Sequence, residues 1–221
     1  EVVRMALDNE TFSFKGEIYT FPVPGIPDRG GFVEELTLVP RPLYPYETWQ
    51  AITSPPTLEV VPKKGWGGVM WLKHFDFMKQ YWDRYATIYQ ETHGVSLKPG
   101  EKRTLVVCTC VEDTHEAAID SVRNGHDEMW KFLGPYGWSK GYIGPDGGPA
   151  QSGLIPTLEE SIENKVWLVG SADDVAEQIN WYSDHLGGVE NLVLFPAMPG
   201  DNYSKVEDQL HRLSEDVLPN I

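Results

Sequence analysis

The sequence predicts an α/β chain that supplies roughly the second half of a (β/α)8 barrel. Three observations carry this. Short apolar strands alternate with helices four times, with the strands near 47–53, 68–72, 104–111 and 191–195; such alternation implies a parallel sheet. The run Thr104-Leu105-Val106-Val107-Cys108-Thr109-Cys110-Val111 reads as a strand buried on both sides. Glu1-Val2-Val3-Arg4-Met5-Ala6-Leu7 reads as the middle of an amphipathic helix without a cap. Four βα units are half of a barrel, and a half barrel leaves sheet edges open, a liability that proteins avoid. The expectation is therefore that four units are missing from the front, and that residues 1–221 are the C-terminal portion of one barrel domain.

Taken in order, residues 1–9 predict the end of a helix closed by Asp8 or Asn9. Residues 11–21 alternate apolar and polar around Gly16, a hairpin signal. Residues 22–31 are rich in Pro and Gly and are read as irregular, and 36–42 as an extended piece ended by prolines. A buried strand at 47–53 is followed by a helix to about Lys64, which Pro62 should stop. After the strand at 68–72, residues 74–93 give the clearest helix. Phe75, Met78, Trp82, Tyr85 and Tyr89 recur at three- and four-residue spacing, a core or oligomer face, and Gly94 suits the residue after its end. Thr114 caps a helix to about Phe132. Residues 157–164 are read as helical, with Glu159, Glu160 and Glu163 on a solvated face, and 166–170 as a short extended piece. Ser171 caps a helix to about Leu186, with Asp174 at the third position. A last strand at 191–195 precedes a terminal helix at 203–217.

Composition narrows the function classes. The formal net charge is −15, which argues against nucleic acid or an anionic membrane as partner without forbidding a local phosphate site. Eight Trp, ten Tyr and eight Phe can build a large core or a ring-lined pocket. No membrane-length apolar run or signal peptide is visible, so a cytoplasmic location is expected. Cys108 and Cys110 are separated by one residue. They point the same way on a strand, too close for an easy disulfide, and without a His/Cys cluster no metal is expected.

The stretch Trp49-Gln50-Ala51-Ile52-Thr53-Ser54-Pro55-Pro56-Thr57-Leu58 concentrates the candidate chemistry. A strand stops at a polar turn, and a helix starts at once. Pro55 and Pro56 suit a first helical turn and make Ser54 the N-cap. Thr53, Ser54 and Thr57 place three hydroxyls within five positions. Such a turn can be a plain cap or, with the helix dipole, an anion site. Residues 134–156 change character, with Gly and Pro interleaved with Tyr136, Trp138 and Tyr142; a long aromatic loop of this kind is read as a lid.

Four segments resemble the luciferase-like flavin-dependent monooxygenases. Phe12-Ser13-Phe14-Lys15-Gly16-Glu17-Ile18-Tyr19 resembles the family's F-x-F-x-G-x-x-Y hairpin. Pro40-Arg41-Pro42 with Thr48-Trp49-Gln50-Ala51-Ile52-Thr53-Ser54 resembles its fifth strand. Val169-Gly170-Ser171-Ala172-Asp173-Asp174-Val175-Ala176 is similar to its helix start before the eighth strand, and Asp216-Val217-Leu218-Pro219 to its ending. Pro62-Lys63-Lys64-Gly65 departs from the usual Ala-rich helix end. The resemblance implies a luciferase-like TIM barrel that binds FMN, with Thr53, Ser54 and Thr57 inheriting the phosphate by position. A lid after strand seven would keep water from the chemistry.

Trp71 and His74 follow the second strand and would face the site; Trp71 is taken as a cofactor-binding residue. His74 can serve as acid or base, or simply sit in solvent at a helix start. Cys108 and Cys110 are read as core, His115, His126, His185 and His211 as surface, and His93 as a helix-end residue. No catalytic residue is assigned, because the family's residues for oxygen activation belong to the first four units, and this chain alone is expected to be inactive. The function expected is monooxygenation of a small organic substrate with reduced FMN and O2, the flavin being supplied by a partner reductase. The alternatives are a deazaflavin (F420)-dependent oxidoreductase of the same fold and a non-catalytic flavin-binding relative. A homo-oligomer, such as a homodimer, is expected.

Overall fold

The computed structural model describes residues 1–141, 149–151 and 153–221. The chain forms two compact units, residues 1–47 and 48–221.

In the first unit, helix α1 (Val2–Asp8) ends at Asn9, whose extended backbone closes it. The expected hairpin is present as β1 (Phe14–Lys15) and β2 (Thr20–Phe21), paired antiparallel. The segment read as irregular contains a second small hairpin, β3 (Pro27–Asp28) with β4 (Gly31–Phe32). Gly30, at φ +86°, makes its turn, a conformation glycine adopts without steric cost.

The second unit is built on five parallel strands: β5 (Trp49–Ala51), β6 (Gly67–Trp71), β7 (Arg103–Val111), β8 (Trp167–Gly170) and β9 (Asn191–Phe195). Helices α2 (Pro55–Val60), α3 (Phe75–His93), α4 (His115–Leu133), α5 (Leu158–Glu163), α6 (Ala172–Leu186) and α7 (Tyr203–Arg212) are interleaved. Ala51 lies opposite Val69, Trp71 opposite Val106, and Val106 opposite Val193. Residues 104–106 of β7 thus pair with β6 and β9 at once, which puts those two strands on opposite edges. Cys108 pairs with both Trp167 and Phe195, so β8 takes the edge that β6 has vacated. The nine-residue β7 is therefore shared: its first part pairs with β6 and its last part with β8. The four strands read from the sequence, now β5, β6, β7 and β9, are consecutive neighbours, and the extended piece at 166–170 contains a fifth, fully buried strand that pairs with the last part of β7.

The two faces of this sheet differ. Ile52, Met70, Leu105 and Val107 are fully buried against α2, α3 and α6, with Leu192 and Leu194 packed beside them. On the other face Ala51 is exposed, and Val193 and Phe195 are 44% and 41% exposed. The expected buried strand at 47–53 is corrected accordingly. It is three residues long, with Trp49 half-buried and Gln50 and Ala51 exposed. Two glycines let large rings close on β6: a Cβ on Gly67 would sit 2.1 Å from the Trp49 ring, and one on Gly68 2.9 Å from Trp82.

Local signals set the helix ends. Thr114 and Ser171 accept from the third helical N–H, and Asp174 returns a bond to Ser171 N, completing a capping box. Gly94 and Gly187 close α3 and α6 in the left-handed conformation. The stripe on α3 is core: Met78, Trp82, Tyr85 and Ile88 are buried. Helix α2 ends at Val60, before a 3-10 turn that starts at Pro62. The terminal helix is regular only to Arg212, after which it widens into a π turn.

One surface assignment is overturned. His126 is fully buried, with its ring edge-on to Trp167 at 5.0 Å and Nε2 2.9 Å from Ser161 Oγ. Its helix face packs on β8 rather than facing water. Glu159, Glu160 and Glu163 are exposed as expected; on that face Glu160 completes a capping box with Thr157 and Glu159 pairs with Arg123 at 2.6 Å.

Candidate functional site

Parallel strands deliver their C-terminal ends, and the loops that follow, to one side of a sheet. At the ends of β5 and β6 those loops border a cleft of about 570 Å³. Thr53, Ser54 and Pro55 line it from the first loop, Trp71, Leu72 and Lys73 from the second, and Tyr81 from α3. Its remaining wall is the segment after α4, two 3-10 turns at Gly134–Tyr136 and Trp138–Gly141. This wall is fastened to the strand ends. His74 N donates to Gly141 O at 2.7 Å, and Ser139 Oγ donates to Gln151 O at 2.9 Å. The approach is so close that a Cβ on Gly141 would lie 2.6 Å from Leu72 O.

The hydroxyl turn adopts the expected position with a different bond. Ser54 is the N-cap residue of α2, at φ −148° and ψ 159°, and Pro55 and Pro56 open the helix. Its hydroxyl does not take a backbone N–H. It pairs instead with Thr57 Oγ1 at 3.0 Å. Either oxygen can be the donor, so the pair can turn one hydroxyl toward a ligand and keep the other as support.

Lys73 is 7% exposed. Its ammonium lies over the Tyr81 ring, 4.4 Å from the centroid, a cation–π contact. Among the described residues no carboxylate pairs with it and no acceptor bonds it. Burial alone drives its pKa down. The described lining holds a second cation, Lys140, and no Asp or Glu, although the chain as a whole carries a net charge of −15.

Trp71 forms the apolar side of the cleft. Its ring meets Trp138 edge-on at 5.5 Å and Phe195 at 6.2 Å. Burial pushes the Cys108 thiol, which neighbours Trp71, up to about 12 and the Cys110 thiol up to about 11, so both are protonated core residues, as expected.

Of the residues selected from the sequence, Thr53, Ser54 and Trp71 meet in the cleft. Thr57 stands one hydroxyl behind, joined through Ser54. His74 is corrected: its side chain is only 12% exposed, and Nδ1 accepts from Asp76 N at 3.1 Å, capping α3. Lys73, Tyr81 and Gly141 were not singled out. The available signal was a lysine placed directly after a buried strand. Most of the glycine-rich centre of the lid assigned to 134–156, residues 142–148 with Tyr142 and also Ser152, lies outside the described residues.

Among the described residues no helix is long and apolar enough to cross a membrane. A parallel α/β sheet with a cleft at the C-terminal ends of its strands defines the class: an α/β protein whose candidate site is built by the loops at that end. More closely, the chain belongs to the luciferase-like monooxygenase family, whose family model matches residues 1–187.

Solved structures agree on the fold. The oxygenating constituent of 3,6-diketocamphane monooxygenase from Pseudomonas putida, a type II Baeyer–Villiger monooxygenase in complex with FMN, is 20% identical. It has a TM-score of 0.66, with 100% of this chain and 62% of that one covered. A monooxygenase from Streptomyces bottropensis is 14% identical, with a TM-score of 0.65 and coverage of 98% and 58%. An F420-dependent secondary alcohol dehydrogenase in complex with an F420–acetone adduct is 12% identical, with a TM-score of 0.53 and coverage of 99% and 58%. The chain thus has the α/β fold of luciferase-like TIM barrels and spans about three-fifths of these structures' length. No curated protein matches the chain.

Proposed function

We propose that this chain is the C-terminal half of a luciferase-like barrel that uses reduced FMN and O2 to oxygenate a small organic substrate. A separate reductase would supply the flavin. The observation that carries this reading is the cleft at the ends of β5 and β6. It joins a hydroxyl turn, two lysines and an aromatic wall in a chain of this family. The open sheet face with half-exposed Val193 and Phe195 fits four further βα units completing the barrel.

The donor set suits a phosphorylated flavin. Ser54 and Thr53 offer hydroxyls to a phosphate, Thr57 supports Ser54, and Trp71 with Trp138 offers apolar surface to a ring system. When bound, the flavin would supply the oxygen activation that no side chain can perform. The chain's part is binding, orientation and exclusion of water. The segment at 134–141, anchored through Gly141, would cover one side of the bound flavin.

A second reading is hydride transfer with F420, supported by the likeness to the F420-dependent dehydrogenase fold. The test uses the complete protein with its preceding units. Reduced FMN should bind and give oxygen uptake with a product one oxygen heavier. Bound F420 with hydride transfer and no oxygen uptake would select the second reading. Flavin binding without turnover over a broad substrate panel would favour a non-catalytic relative.

A further inference from the structure

We propose that Lys73 is the charged anchor for the phosphate of the bound flavin, and that it makes the cleft discriminate a phosphorylated from an unphosphorylated flavin; this rests on the flavin reading above.

A dianionic phosphate needs donors and positive charge. The turn after β5 is short of both. Pro55 and Pro56 have no N–H, and Ser54 and Thr57 spend part of their bonding on each other. The sheet register places the missing charge beside it. Ala51 is opposite Val69, so β5 and β6 run side by side and the turns that follow them open on the same end of the sheet. Ser54, Pro55 and Lys73 all line the one cleft.

Lys73 is also built as a receptor. A buried ammonium without a counter-anion is unfavourable. Here nine-tenths of the residue is covered, and its one described electrostatic partner is the face of Tyr81. That face holds the cation in place without neutralising it. A ligand oxyanion entering the cleft would supply the missing negative charge. The absence of Asp and Glu from the described lining leaves the ligand as the natural partner.

The test measures binding of FMN, riboflavin and inorganic phosphate to the complete protein, by flavin fluorescence and calorimetry, for wild type, K73M, K73Q and K73R. Melting temperature and far-UV circular dichroism establish that each variant is folded. Wild type should bind FMN at least tenfold more tightly than riboflavin. K73M and K73Q should lose at least tenfold for FMN and for phosphate while riboflavin changes less than twofold, and K73R should keep the preference. A folded K73M or K73Q with the wild-type ratio of FMN to riboflavin affinity overturns the proposal. So does a wild-type ratio below two, whatever the variants do, and so does failure of wild type to bind both phosphate and FMN. Lys73-dependent phosphate binding without binding of either flavin would leave the anion anchor standing and remove the flavin reading.

Discussion

Ser54 Oγ and Thr57 Oγ1 lie 3.0 Å apart, bonded to each other in place of the usual bond that a backbone N–H donates to a capping hydroxyl. An ordinary Ser-to-Ala change at an N-cap costs about 0.5–2 kcal/mol. Ser54→Ala removes no such cap here, so its cost should fall below that range in urea unfolding. Binding should respond differently. Thr57→Val leaves Ser54 without its support and should weaken FMN binding about tenfold, the scale of one lost hydrogen bond. A Thr57→Val variant with unchanged FMN affinity would count against this turn as the phosphate site.

The wall at 134–141 depends on Gly141. A Cβ there would press on Leu72 O at 2.6 Å, and backbone yields less readily than a flexible side chain. Gly141→Ala should cost about 1–3 kcal/mol, the range for overpacking. It should also speed amide exchange of His74, whose N–H donates to Gly141 O. Unchanged exchange at His74 would show that this docking is not maintained in solution.

His126 makes stability depend on pH. Burial lowers its pKa, against the opposing pull of Asp127 and Glu159 and with a small further lowering from Arg123. The neutral ring can donate through Nδ1 to Asp127 and accept through Nε2 from Ser161. Because the folded value lies below the unfolded one near 6.5, the unfolded chain takes up the proton first. The stability linked to this residue is complete above pH 6.5 and is lost as pH falls from there toward the folded value. For one proton the slope is at most about 1.4 kcal/mol per pH unit. His126→Gln is less stable at pH 7, and its deficit relative to wild type should shrink by pH 5.5. Parallel stability curves for the two proteins would contradict this assignment.

Gln209 substitutes for a strand at the end of β7. Its carboxamide accepts from Val111 N at 2.8 Å and donates to Val111 O at 2.7 Å, across 98 residues of sequence. Gln209→Leu keeps the apolar volume and strands two buried backbone groups, each worth about 1–3 kcal/mol. A loss of at least about 2 kcal/mol is expected in urea unfolding, with faster exchange at Val111. A smaller loss would mean that water reaches those groups.

Much of the fold was legible because its signals are local. Thr114, Ser171, Gly94 and Gly187 mark helix ends through bonds within a few residues of themselves. The order of turn and strand pointed to Thr53, Ser54 and Trp71 as neighbours at the strand ends, and all three line one cleft. Errors fell where a residue's surroundings come from distant chain. His126 carries the composition of a surface helix and is covered by Trp167 and Ser161 from another part of the sequence. Trp49 and Ala51 look like buried strand residues, and the sheet leaves their face open.

The amino-acid order by itself settled the alternation of strands and helices, the position of the polar turn after β5 and the buried stripe of α3, because hydrophobic period and capping chemistry act over a few residues. The folded arrangement alone settled that β7 shares one edge between β6 and β8, that Gly141 lies against Leu72, and that Lys73 sits under cover over the Tyr81 ring in the cleft that Ser54 also lines. Those neighbours are set by strand register and by the packing of segments far apart in the chain, and no short window of sequence encodes either.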